Sequence, residues 1–305
     1  MFLTILLSSF LTLVELNCEN LFDTRHDVGK EDSEFLPEGS RHWTSTKYWG
    51  KVNRIGQEIL SCSDELPDLV ALVEVENDSV LRDLTRRSLL RNAGYQYLMT
   101  ESPDLRGVDV ALLYQPASFR PLCYEYIEVP PLPDMRPTRD ILYVRGCSSS
   151  SDTIHVFVVH SPSRYGGERK SRPNRKQVVL QIQKMLAEIG PHAQVIITGD
   201  FNDYADSPAL TMLYDCGLQN VTSQAKGTHG AHGTYHYRGE WHSLDHTLVS
   251  PPLYNKVDSV YINDAPFLLE DEPKYGGRRP MRTFQGYRYQ RGYSDHLPLV
   301  VRFKW

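Results

Sequence analysis

Short β-branched runs that stop at a carboxylate, an amide or an imidazole set the strongest limit on how this chain can fold. The clearest is QVIITGDFNDY, from Gln194 to Tyr204. Val195, Ile196, Ile197 and Thr198 read as a strand covered on both faces. The segment before it, Asn174 to Ile189, carries Val178, Val179, Ile182, Met185, Leu186 and Ile189 at helical spacing, and Gly190-Pro191 stops it. Gly199 lets the backbone leave the strand at a φ that other residues resist. Asp200 and Asn202 then fall on one side of the extended chain. Alone, this motif fits a polar turn as well as a catalytic strand end.

The same arrangement recurs along the chain. Leu11–Leu16 ends in Asn17, Leu69–Val73 ends in Glu74, and Thr153–Val159 ends in His160. Asp245 opens another apolar run, and Asp295 and His296 precede the last. Each residue singly has a bland reading as a turn or solvated edge. Jointly they need too many coincidences, and a sheet arrangement that gathers these ends would place carboxylates and imidazoles in one cleft.

Further strands are expected at Tyr95–Met99, Val108–Tyr114, Tyr124–Val129, Ile141–Val144, Leu244–Val249, Val257–Ile262 and Leu299–Phe303. Helices are expected at Tyr48–Leu60, Ser79–Asn92, Asn174–Ile189 and Pro208–Asp215. Strands dominate and no linker-like break appears. Packed sheets with helices outside, in one domain over residues 1–305, follow from that pattern. Val129–Asp140 and Leu268–Gly292 read as loops from their Pro, Gly and charge content.

Composition narrows the function classes. Apolar residues make up 40% and charged residues 23% of 305, ordinary for a globular chain that buries a sizeable core. The net charge of −5 is not that of a general polyanion binder, so a phosphate-bearing partner needs a local basic patch or a bridging metal. The five cysteines have no metal-ligand or redox-motif spacing and read as free thiols. The apolar segment MFLTILLSSFLTLV, residues 1–14, supports two readings, a remnant leader and a long buried first strand. It is short for a membrane span, which needs about 20 residues. Compartment stays open between cytoplasmic and exported or periplasmic, and a monomer is favoured.

The ordered set LNCENLFD, LVEVEN, VDVALLY, VVHSPSR, TGDFND, LDHTLVS and SDHLPL resembles the endonuclease/exonuclease/phosphatase family, which includes deoxyribonuclease I. These motifs span Asn17 to Pro298. GDFND with a later SDH is specific; VDVALLY alone is weak. The resemblance implies an α+β fold, a four-layer α/β/β/α sandwich of two packed mixed sheets flanked by helices. It also implies a phosphoesterase dependent on Mg²⁺ or Mn²⁺.

Asn17, Glu74 and Asp295 are the expected metal ligands, hard oxygen donors that suit Mg²⁺. His296 is the expected general base or transition-state donor, with Asp245 fixing its tautomer. Asp200 and Asn202 position the nucleophile and the phosphoryl oxygens. His160 bonds a phosphate oxygen or the leaving group, with Asp109 as the expected supporting carboxylate. The histidine in VVHSPSR departs from the asparagine-centred motif of abasic-site exonucleases and argues against dedicated abasic-site repair.

Substrate choice should lie in loops. Ser161–Lys176 and Leu268–Gly292 are rich in Arg and Lys, either phosphate-facing or solvated. Arg164 is the leading candidate for substrate contact. Tyr235 and Trp241 are candidates to stack on a base or sugar, and for Trp241 packing behind the site is the alternative. A phosphodiesterase or nuclease, with DNA or RNA as a candidate partner, is the first reading. A phosphomonoesterase on a small or lipid-linked phosphate and a catalytically dead binding module are the alternatives. The binding module is disfavoured because every acidic ligand and the SDH histidine are present.

Overall fold

Side-chain alternation along the first strand already separates two layers. The computed structural model describes residues 10–133 and 135–305, and this strand runs Phe10–Leu21. Val14, Leu16 and Cys18 pack into one core cluster, while Leu11 and Leu13 pack into another. A strand with both faces apolar must lie between two layers. The expected first strand is therefore present and longer than read. Of the segment 1–14 that the two readings concern, residues 10–14 lie in this strand and residues 1–9 lie outside the described residues.

The first sheet has six strands in the order Val257–Ile262, Leu299–Lys304, Phe10–Leu21, Leu69–Val75, Asp109–Tyr114, Gln96–Met99. The second has six in the order Phe119–Ile127, Ile141–Ser148, Thr153–His160, Gln194–Asp200, Asp245–Val249, Gln219–Asn220. Both are mixed. Phe10–Leu21 runs parallel to Leu69–Val75, and Thr153–His160 runs parallel to Gln194–Asp200.

The sheets pack face to face through Leu13, Ala71, Val73, Val110, Val156, Val158, Ile196 and Val301. Outside the first sheet lie helices Ser45–Leu60 and Asp78–Arg87, which contribute Val52, Ile55, Ile59, Val80, Leu81 and Leu84. Outside the second lie Glu168–Ile189 and Pro208–Tyr214, with Val178, Val179, Ile182, Leu210 and Leu213. Each fully buried aliphatic side chain contributes about 1.5–3 kcal/mol. The four-layer α/β/β/α sandwich is thus the observed fold.

Two helix boundaries differ from the sequence reading. The second helix ends at Arg87 rather than Asn92, because the Ser88 hydroxyl donates to the Leu84 carbonyl and accepts the Leu90 amide. That hydroxyl competes with the helical hydrogen-bond ladder. The third begins at Glu168 rather than Asn174, so Pro173 falls inside it. Proline there removes the amide that would ordinarily close that turn. The stretch Leu268–Gly292 also forms two short hairpins, Leu269–Asp271 with Arg278–Pro280 and Phe284–Gln285 with Arg288–Tyr289. All five cysteines are free. Among the described residues no helix is long and apolar enough to cross a membrane.

Candidate active site

The same alternation that builds the inter-sheet core also gathers the polar strand ends. On Phe10–Leu21 the inward positions are Leu11 and Leu13, so Asn17 continues that face. On Thr153–His160 they are Ile154, Val156 and Val158, followed by His160. On Gln194–Asp200 Ile196 and Thr198 lead to Asp200, and on Asp245–Val249 Asp245 shares the face of Thr247 and Val249. Thr198 and Thr247 bond each other through their hydroxyls at 2.8 Å.

Register then fixes who meets whom. His160 pairs with Asp200 across the parallel ladder, and Asp245 pairs with Asp200 across the antiparallel one. Side chains opposite each other in a ladder share a face and are neighbours. Gly199 makes this approach possible. A Cβ there would lie 1.9 Å from the Val159 carbonyl oxygen, and its φ is +141°.

On the first sheet, bulges aim the ligand-type residues. The pairing slips between Asn17 and Leu21 and again between Val73 and Val75. Glu19, Asn20 and Glu74 take φ of 48°, 56° and 61°, and Asn202 on the other sheet takes 50°. Non-glycine residues rarely adopt this region, and bulges of this kind redirect side chains. The bulges hold each other, because Glu74 Oε2 accepts the Asn20 amide at 2.9 Å and Asn17 Oδ1 accepts the Glu19 amide at 2.9 Å.

Hydrogen bonds tie the two rims together. Asn17 Nδ2 donates to Asp200 Oδ2 at 3.1 Å. The Asn202 amide donates to Asp200 Oδ1 at 2.7 Å, and Asn202 Nδ2 donates to the Ser161 carbonyl at 3.1 Å. His160 Nε2 lies 3.8 Å from both Glu74 and Asp200. His296 Nδ1 donates to Asp245 Oδ2 at 2.7 Å, and the Thr234 hydroxyl donates to the same oxygen. The Tyr235 ring lies 4.9 Å from the His296 ring.

Burial and charge split the two histidines. Burial, then the Arg139 and Arg106 guanidiniums, push His160 well below the usual histidine range. Burial also acts downward on His296, but the Asp245 carboxylate and its hydrogen bond, with Asp200 and Asp295, outweigh it and raise it well above that range. Burial and the neighbouring Asp245 charge raise Asp200. The surroundings therefore disfavour the charged form of His160 and favour that of His296.

Several expected residues sit elsewhere. Asp109 does not support His160: its carboxylate accepts the Thr100 hydroxyl at 2.7 Å and the Ser102 amide at 3.0 Å. Nδ1 of His160 is buried with no hydrogen-bond partner among the described residues. Arg164 pairs with Glu168 at 2.9 Å and lies over the Tyr204 ring. Trp241 packs against a minor core of Leu268, Leu269, Leu297 and Leu299, which is the packing alternative. Asp295 is held by Arg282 at 2.9 Å.

The sequence reading missed Arg106 and Arg139. Arg106 Nη2 donates to Asn20 Oδ1 at 2.7 Å and to Glu74 Oε1 at 3.3 Å. Arg139 is buried, donating to Asp104 at 3.0 Å and to the Ser161 carbonyl at 2.9 Å. Both come from loops with no motif around them. Only proximity to VDVALLY could have pointed to Arg106.

The residues fit a hard divalent cation. Asp245 Oδ1 is buried and has no hydrogen-bond partner among the described residues, and the crowding that raises Asp200 is what a cation would relieve. Asp200, Asp245 and His296 offer ligand atoms within 4.8 Å of one another. The hydrogen bond to His296 uses only Oδ2 of Asp245, so its Oδ1 remains a hard oxygen donor beside those of Asn17 and Glu74.

A two-sheet sandwich with a carboxylate-rich, histidine-bearing cleft at one rim defines a hydrolase scaffold of the deoxyribonuclease I type. The chain belongs to the endonuclease/exonuclease/phosphatase family, whose model matches residues 12–304. Members are phosphoric ester hydrolases that generally depend on a divalent metal. No curated protein matches the sequence.

Solved structures share the fold. An endonuclease/exonuclease/phosphatase family protein from Bacteroides thetaiotaomicron aligns with TM-score 0.65 at 16% identity, covering 96% of this chain and 97% of that one. A mannosyl-6-phosphatase from the same organism aligns with TM-score 0.60 at 18% identity, covering 95% and 98%. D. rerio TDP2 complexed with a single-strand DNA product aligns with TM-score 0.56 at 15% identity, covering 97% and 100%.

Proposed function

We propose that this protein is a phosphodiesterase dependent on Mg²⁺ or Mn²⁺. The observation that carries the reading is Asp200 flanked in register by His160 and by Asp245, which holds His296 at 2.7 Å. A divalent cation, when bound, would be held by Asn17 and Glu74 and would supply positive charge for the phosphoryl oxygens.

The protein's own groups do the rest. Asp200, fixed by Asn17 and by the Asn202 amide, orients the attacking water and takes its proton. Its raised proton affinity suits that task. His296, kept protonated by Asp245, donates to an oxygen that gains charge as the bond breaks. Neutral His160 offers Nε2 as a second donor from the other side. Tyr235 walls the His296 side of the cleft.

A phosphomonoesterase is the second reading, favoured by the likeness to a protein named as a mannosyl-6-phosphatase. The test incubates the purified protein with supercoiled plasmid, bis-p-nitrophenyl phosphate and p-nitrophenyl phosphate, each with Mg²⁺ and with EDTA. Metal-dependent nicking or diester cleavage supports the first reading. Release from the monoester alone supports the second. No turnover of any substrate counts against both and leaves the binding module.

A further inference from the structure

Asp295 and Glu19 share one guanidinium. Arg282 Nη2 donates to Asp295 Oδ2 at 2.9 Å, and its Nε donates to Glu19 Oε1 at 3.3 Å. Both nitrogens belong to one rigid planar group, so the two accepting oxygens stand close together on a single positive charge. The other oxygen of Glu19 is engaged as well. Glu19 Oε2 accepts the Thr283 amide at 2.6 Å, and the buried Lys51 ammonium lies 4.0 Å from it.

This cluster borders Asn17. Asn17 Oδ1 accepts the Glu19 amide at 2.9 Å, and the Ser294 hydroxyl donates to the Asn17 carbonyl at 2.6 Å, so both acids belong to segments bonded to that residue. The backbone around Arg282 is fixed. The Met281 amide donates to the Leu268 carbonyl at 2.8 Å, and the Met281 carbonyl accepts the Tyr293 amide at 2.6 Å. A Cβ on Gly292 would lie 2.1 Å from the Arg282 carbonyl oxygen, so the two segments touch there. Glu74 is held less closely by its own arginine. Arg106 donates to Asn20 at 2.7 Å and reaches Glu74 only at 3.3 Å.

We infer that Arg282 is the resident cation of Glu19 and Asp295 and keeps both carboxylates out of the metal's coordination sphere. The inference rests on the cation-dependent reading above and departs from the ligand set expected of the sequence. Asp295 holds Arg282, and the ion takes Asn17 and Glu74. Charge-assisted bonds to a guanidinium are strong and use the lone pairs that a metal needs. A divalent ion beside Asp295 would also meet the Arg282 charge at short range, where like charges repel. Arg282 is thus a positioning residue. With it removed, two neighbouring carboxylates are a place for a second hard cation.

Mn²⁺ binding to the full chain without substrate tests this, read by electron paramagnetic resonance, which counts bound ions and detects coupled pairs. Wild type is compared with Glu74→Gln, Asp295→Asn, Arg282→Met and the double variant Arg282→Met/Asp295→Asn. The wild type is expected to take one ion. Glu74→Gln should weaken it at least about tenfold, whereas Asp295→Asn should leave its affinity within about twofold. Arg282→Met should take a second ion, and the double variant should lose it. Weakening in Asp295→Asn equal to that in Glu74→Gln overturns the inference and makes Asp295 a ligand. A single ion at wild-type affinity in Arg282→Met overturns it too. No Mn²⁺ on the wild type removes the cation-dependent reading along with the inference. Circular dichroism reports which variants fold, and if Arg282→Met does not, the Asp295→Asn comparison decides alone.

Discussion

Asp245 holds His296 by a 2.7 Å hydrogen bond while lying directly opposite Asp200 in the antiparallel ladder. One carboxylate thus charges the imidazole and crowds the neighbouring acid. Replacing Asp245 by Asn removes both effects. The D245N variant should lose about 10²–10⁴-fold in kcat with little change in KM, measured on a diester in Mg²⁺. A loss confined to KM would place Asp245 in binding instead.

Crowded carboxylates cost stability when no cation is present. In EDTA, Asp200→Asn should raise the unfolding free energy by about 1–2 kcal/mol while removing activity. Urea melts with and without Mg²⁺ check this. The wild type should gain stability from Mg²⁺, and D200N should gain less.

Gly199 is fixed by backbone geometry rather than by chemistry. A methyl group would collide with the Val159 carbonyl at 1.9 Å, and the φ of +141° suits only glycine. Gly199→Ala should destabilise the fold by about 3 kcal/mol and displace Asp200. Thermal melting and residual activity report the two effects separately.

Glu58, outside the proposed catalytic set, gives a pH dependence of its own. It is fully buried, and neither carboxyl oxygen has a hydrogen-bond partner among the described residues. Burial pushes it up to about 8, against the pull of Lys51 and with the push of Glu19. A raised carboxyl contributes stability that is complete below its unfolded value near 4.5 and fades as pH rises through about 8. Glu58→Gln should therefore match the wild type in Tm near pH 5 and exceed it near pH 9. Parallel curves at both values would show that Glu58 does not titrate in this window.

The layered fold and most of the cleft were legible in the sequence for one physical reason. Buried strands announce themselves by β-branched runs, and a polar residue at the end of such a run stands out. Asn17, His160, Asp200 and Asp245 were visible that way. Glu74 was visible too, though not the bulge that turns it inward, because a one-residue slip leaves no compositional trace. Arg106 and Arg139 were hidden, since they reach the site from loops whose path depends on tertiary packing. Arg164 looked like a free cation in a basic loop, yet Glu168, four residues on, engages it. In place of the expected Asp109–His160 pairing, Oδ1 of Asp109 accepts from Thr100 and Ser102 on the adjoining segment.

The central claim is cation-dependent diester hydrolysis through the Asp245–His296 pair. The most direct measurement is the initial rate of bis-p-nitrophenyl phosphate cleavage by wild type and His296→Ala, each in Mg²⁺, in Mn²⁺ and in EDTA. The account predicts turnover by the wild type with either metal, none in EDTA, and a fall of at least about 10²-fold in the variant. Equal rates for wild type and variant, or turnover that persists in EDTA, would contradict it.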